Sequence, residues 1–125
     1  DVVGHYADAL YESERFDEAA LQYGKLAYEY ANPERAGDSA LAQVKSYRQW
    51  YRSLQENQAS ESDLGDTRIK VFNAIAEFAN RFPDHKQRSS VLLAAAEDHL
   101  AKWLRFVCRS SVQTIGLMKN CTARP

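Results

Sequence analysis

Three histidines, 17 carboxylates and two cysteines are the side chains of this 125-residue chain that could carry acid–base, metal or thiol chemistry. Their spacing assembles none of it. His5, His85 and His99 are scattered along the chain. In Glu97-Asp98-His99 the residues are adjacent and point in different directions on a helix, unlike H-E-x-x-H, which sets two imidazoles on one face for zinc. Glu14, Asp17 and Glu18 gather where a helix begins, and carboxylates there favour the helix dipole without any reaction. Cys108 and Cys121 lie 13 residues apart with no second pair. That is a weak metal signal, and a disulfide in an oxidising compartment fits it as well as two free thiols. Asn120-Cys121-Thr122 has the form of a glycosylation sequon. No G-x-G-x-x-G, G-x-x-x-x-G-K or G-x-S-x-G occurs. We therefore expect no enzyme, no metal and no cofactor, and turn to surfaces that bind.

The elements that would position such a surface are helices. Hydrophobic residues make up 45% and charged residues 26%, with five glycines and three prolines, too few for a strand-and-turn architecture. The length gives room for one domain with a core, and no apolar run approaches the ~20 residues of a membrane span. Tyr6, Ala7 and Leu10 mark a first helix over 2–12; after the polar turn Glu12 to Arg15, Phe16, Ala19, Ala20, Tyr23, Leu26 and Ala27 mark a second over 16–30. Asn32-Pro33 closes that hairpin. A third helix is expected over 34–54, with Ala40, Leu41, Val44, Tyr47, Trp50 and Tyr51 on its apolar side. The polar stretch 55–66 is expected to be a loop, and Asp66 or Thr67 the cap of a fourth helix. That helix carries Ile69, Phe72, Ile75, Ala76, Phe78 and Ala79 and stops at Arg81-Phe82-Pro83-Asp84. A fifth starts near Lys86, with Val91, Leu92, Leu93, Ala95, Ala96 and Leu100. Helical periodicity from the first residues leads us to expect that Asp1 lies inside a longer protein. A hairpin of this kind cannot bury its apolar stripe alone, so stacked copies are expected.

These residues resemble a family. Glu14 to Tyr23, ERFDEAALQY, is similar to the turn and second helix of a tetratricopeptide repeat, where an aromatic precedes a D-E-A triplet. Under this match Val3, Tyr6, Ala7 and Leu10 pack in the first helix and Phe16, Ala19, Tyr23 and Leu26 in the second. Leu41, Val44, Val71, Ile75 and Phe78 continue the pattern, and Leu93, Ala96 and Leu100 begin a third copy. The resemblance implies an all-α fold of antiparallel helical hairpins stacked as a right-handed solenoid over residues 1–101. Equivalent positions lie 38 and 52 residues apart (Val3 to Leu41, Leu41 to Leu93), against a family period of about 34, an excess assigned to the 55–66 loop and a long third helix. The family's tight-packing glycine is replaced by Ala7 and Lys45. The endings Tyr28-Glu29-Tyr30-Ala31-Asn32-Pro33 and Asn80-Arg81-Phe82-Pro83-Asp84 resemble the bacterial cell-envelope members, among them Tol–Pal accessory and outer-membrane assembly proteins, which implies a periplasmic or envelope location.

In this family the first helix of each copy lines the concave face. The resemblance therefore implies a partner surface of Asp8, Tyr11, Glu12, Ser46, Gln49, Trp50 and Asp98, suited to an extended basic or aromatic peptide; Trp50 and Tyr51 equally fit core packing. The implied role is a protein-interaction scaffold, with a structural spacer or oligomerisation segment of an envelope protein as the alternative. Residues 1–32 carry seven acids and two bases, whereas 102–125 carry five bases and no acid. The acidic body argues against nucleic acid as a partner. The basic tail 102–125 is either a capping helix, whose apolar strip over 102–107 could also form a homodimer, or a non-native continuation such as a shifted reading frame.

Overall fold

The structure, a computed structural model, describes residues 2–30 and 32–98. The expectations for His99, Leu100, the two cysteines, the sequon and the 102–125 tail fall outside the described residues. All regular structure among the described residues is helical. The chain divides into two compact units, the first ending at Arg88 and the second beginning at Ser89.

In the first unit four helices follow one another: α1 (Val2–Glu12), α2 (Phe16–Tyr28), α3 (Pro33–Glu56) and α4 (Glu61–Arg81). Each packs chiefly on its neighbours in the chain, and the α2–α3 contact is the most extensive. Alanines make close approach possible. Ala7 on α1, Ala19 and Ala20 on α2 and Ala40 on α3 are fully buried, and Leu10 and Tyr23 complete the α1–α2 cluster. Further along, Leu41 and Val44 of α3 and Ile75, Phe78 and Ala79 of α4 form the buried rows.

Both hairpins turn by the same device. After α1, the Glu14 N–H donates to the Tyr11 carbonyl (3.0 Å) and the Arg15 N–H to the Leu10 carbonyl (2.9 Å). After α3, the Gln58 N–H donates to Gln55 (3.2 Å) and the Ala59 N–H to Leu54 (2.9 Å). This is the paired bonding of a Schellman motif. Its left-handed position holds Glu14 (φ 61°) in one hairpin and Gln58 (φ 56°) in the other, neither of them glycine. A Cβ is strained there. Glu14→Gly and Gln58→Gly should therefore each stabilise the fold by about 0.5–1 kcal/mol, read as a rise in the urea midpoint.

The second hairpin departs from expectation. The segment 55–66 is not a loop: α3 runs on to Glu56 and α4 begins at Glu61, leaving 57–60 as the turn. The cap is Ser60, whose Oγ accepts the Asp63 N–H at 3.1 Å, with Glu61 and Asp63 in the first turn. Thr67 is instead buried inside α4, its hydroxyl donating to the Asp63 carbonyl at 2.9 Å. The span expected to hold a loop is thus taken up by longer helices. Tyr6, Ile69 and Ala76, expected to pack, are exposed, because they face away from the adjoining helices.

The two helix endings meet. Tyr28 of α2 lies 6.1 Å from Phe82, the residue closing α4, and the Arg81 guanidinium sits 5.6 Å over the Tyr28 ring. Pro33 occupies the first turn of α3, where its missing N–H costs nothing. Gly37, one turn on, is the close approach that the sequence does not announce. A Cβ there would lie 2.9 Å from His85 Cδ2 and 3.5 Å from Phe82 Cδ1, whereas Lys45 is exposed. Gly65 in α4 faces open space. The same substitution should therefore have opposite signs. Gly65→Ala gains about 1 kcal/mol of helix propensity, while Gly37→Ala loses about 1 kcal/mol net because overpacking outweighs that gain. Thermal unfolding of the two variants checks this.

The described part of the second unit is helical through residue 98. Leu93 and Ala96, expected as packing positions of a third copy, are exposed among these residues.

Candidate functional site

Where α1, α2 and the start of α3 converge, the surface folds into a cavity of about 300 Å³. Val3, Gly4 and Asp8 of α1, Tyr23 and Leu26 of α2, Tyr30 and Asn32 of the connection, and Arg35 and Ser39 of α3 line it. The helical periods explain the grouping: Gly4 and Asp8 are one turn apart on α1, as are Arg35 and Ser39 on α3.

The polar centre of the cavity is a phenol–carboxylate pair. Tyr23 Oη donates to Asp8 Oδ1 at 2.5 Å, joining α2 to α1. Burial, reinforced by the hydrogen bond to Asp8, pushes the Tyr23 phenol well above its ordinary value. Arg35, across the cavity, makes no ion pair with any described residue, and neither does Asp8. The cavity therefore holds two opposite charges that are not spent on each other.

The raised phenols carry a pH signature. Burial also pushes Tyr28 up to about 12. Unfolded tyrosines lose their protons near pH 10, while the folded ones keep theirs. Stability is then full below about pH 10 and falls as pH rises through the folded values. Tyr23→Phe should cost about 1 kcal/mol near neutral pH through the lost hydrogen bond. It should also lose less stability than the wild type between about pH 8 and pH 11, as urea midpoints at the two values would show.

Of the seven residues expected on a concave face, only Asp8 lines the cavity. Tyr11 is partly buried, edge-on to Phe16 with ring centres 5.2 Å apart and packed against the α1–α2 core. Glu12 is exposed at the end of α1, outside the lining. Ser46 is fully buried and donates its hydroxyl to the Ala42 carbonyl at 2.8 Å, so it is closed to any partner. Gln49 is half-buried. Trp50 faces the second hairpin: its ring lies 6.3 Å from Tyr47, and Lys70 Nζ of α4 sits 4.9 Å over it. Tyr51 does the same with Arg68, whose guanidinium donates to the Tyr51 hydroxyl at 3.0 Å. Both aromatics therefore bind α3 to α4. Asp98 is exposed in the second unit.

Tyr23, Arg35 and Tyr30 line the cavity although no motif in the sequence marks them for it. Tyr23 reads as a packing residue from its spacing, and its hydroxyl partner 15 positions away is a product of the fold. Arg35 gives one signal in retrospect, a cation placed just after Pro33 in the first turn of a helix.

His85 and Asp38 come nearest to a catalytic constellation. His85 Nδ1 accepts the Gln87 N–H at 3.1 Å, so the ring proton is on Nε2, which donates to Asp38 Oδ1 at 2.9 Å. The ring also stands edge-on to Phe78 at 5.1 Å. Both ring nitrogens are thus engaged by neighbouring groups. The imidazole fastens the end of α4 to the start of α3. No group of three metal-ligating side chains assembles among the described residues, and no helix there is long and apolar enough to cross a membrane. Comparison with protein-family models, with curated proteins and with solved structures gave no match.

Proposed function

We propose that this chain is a protein-interaction module of tetratricopeptide type, which presents a surface at the α1–α2–α3 junction to a segment of a partner protein. The observation that carries the reading is the cavity there, where Asp8 and Arg35 make no ion pair with a described residue and Val3 and Leu26 add apolar wall. Repeated hairpin turns and neighbour-on-neighbour packing support a stacked helical array, in which each pair of helices relies on the next for burial. Rigid helices lower the entropy cost of capturing an extended segment. The likeness of the helix endings to envelope proteins points this scaffold to the bacterial cell envelope.

A random-peptide display library selected against the full chain tests the reading. We expect a consensus whose binding falls in Arg35→Glu and Tyr30→Ala, with the helical circular-dichroism signal unchanged, and persists in Leu21→Ala on the far side of α2. Absence of any consensus, or equal loss in all three variants, would remove the proposal. The spacer or oligomerisation reading draws on a different observation, the exposure of Val2 (84%) and Tyr6 (50%) on α1 and Ile69 (60%) on α4. Self-association by sedimentation that Tyr6→Ser and Ile69→Ser abolish would favour it.

A further inference from the structure

We propose that the α1–α2–α3 cavity seats a single basic side chain of the partner segment, and that Arg35 takes a carboxylate from the same segment. This rests on the interaction-module reading and names the chemistry of its partner. Three observations converge.

The first is size. About 300 Å³ lies at the small end of ligand sites, enough for one long side chain and its water rather than a whole cofactor. Both charges are on exposed residues, so the occupant enters from a chain lying outside. The second is the distribution of polarity. Val3 and Leu26 provide apolar wall, and Asp8 lies among them. A lysine or arginine matches that order, an aliphatic stem with a charged head. The third is the state of the carboxylate. Tyr23 engages Oδ1 only, which fixes the group and leaves Oδ2 to accept an ammonium or guanidinium. Because Arg35 lacks an ion-pair partner among the described residues, a purely cationic ligand would meet repulsion at the other side of the same cavity. A segment with a base and an acid close together satisfies both ends.

The test uses the full chain, isotopically labelled for NMR, titrated with the blocked dipeptide N-acetyl-Arg-Glu-amide and with N-acetyl-Gln-Gln-amide. Exposed ion pairs contribute modestly, so a dissociation constant of about 1 mM is expected for the charged peptide, weakening with salt. The amides of Gly4, Asp8, Arg35 and Ser39 should shift together and saturate. Asp8→Asn keeps an oxygen for Tyr23 and should weaken binding about fivefold. Arg35→Gln should do the same for Arg-Glu but strengthen binding of N-acetyl-Arg-amide. Leu21→Ala, on the far side of α2 and outside the lining, should retain binding, which separates charge recognition from folding. Shifts elsewhere on the surface, equal binding of the Gln-Gln peptide, or indifference to Asp8→Asn overturn the proposal. If a display-selected consensus binds outside the cavity while Arg-Glu does not bind, the interaction module stands and this assignment falls. If neither binds, both fall.

Discussion

Phe78→Ala is expected to destabilise the first unit by about 3–5 kcal/mol, the cost of a large aromatic cavity in a packed core. Phe78 is the largest fully buried side chain among the described residues. It stands between Phe82 at 6.2 Å and His85 at 5.1 Å, and Phe82 in turn meets Tyr28. One ring thus supports the row that joins the ends of α2 and α4 to the start of α3. Small domains hold only about 5–15 kcal/mol in total, so the variant should be near its folding threshold. Phe78→Leu, which keeps most of the volume, should cost less than about 2 kcal/mol. Chemical unfolding followed by circular dichroism compares them, and a loss below about 1 kcal/mol for the alanine variant would show that the row is not the core we take it for.

Ala7→Leu should have the second largest effect, about 1–3 kcal/mol, for the opposite reason. Ala7 and Ala19 are fully buried beside Leu10 and Tyr23, where the backbones of α1 and α2 approach closely. Leucine and alanine differ little in helix propensity, so the cost would come from forcing three extra carbons into a filled seam. The control lies two residues along the same helix. Ala9 is exposed, and Ala9→Leu should change stability by less than about 0.5 kcal/mol. Equal effects at the two positions would contradict the packing described.

Where apolar spacing was dense, the fold was legible. Ala7 and Leu10, then Ala19, Ala20, Tyr23 and Ala27, placed α1 and α2 because each turn of helix that touches a neighbour needs an apolar residue there. The stretch 55–66 misled for the converse reason. The end of α3 and the first turns of α4 are largely exposed, so periodicity has nothing to mark, and only Ser60 with Asp63 three residues later signals the start. The candidate site was less legible still. Asp8 stands out only through the resemblance, as an α1 side chain not needed for packing. Ser46 looked equally polar but is buried, since a serine can return its hydrogen bond to its own helix and a carboxylate cannot. Trp50 and Tyr51, which fit core packing as well as a binding face, are partly buried and engage Lys70 and Arg68 of α4.

The neighbour-on-neighbour order of the helices has a kinetic consequence. When contacts close mainly between elements adjacent in the chain, little loop entropy opposes each step, and relative contact order is low. The first unit should fold in about microseconds to milliseconds, without a slow phase from distant pairing. Its amide hydrogens should exchange in a gradient. The α2–α3 contact, the most extensive, would be the last to open, and the smaller α1–α2 contact would open earlier. A partner seated across α1, α2 and α3 would then slow exchange most in α1, where the free protein has the most protection to gain.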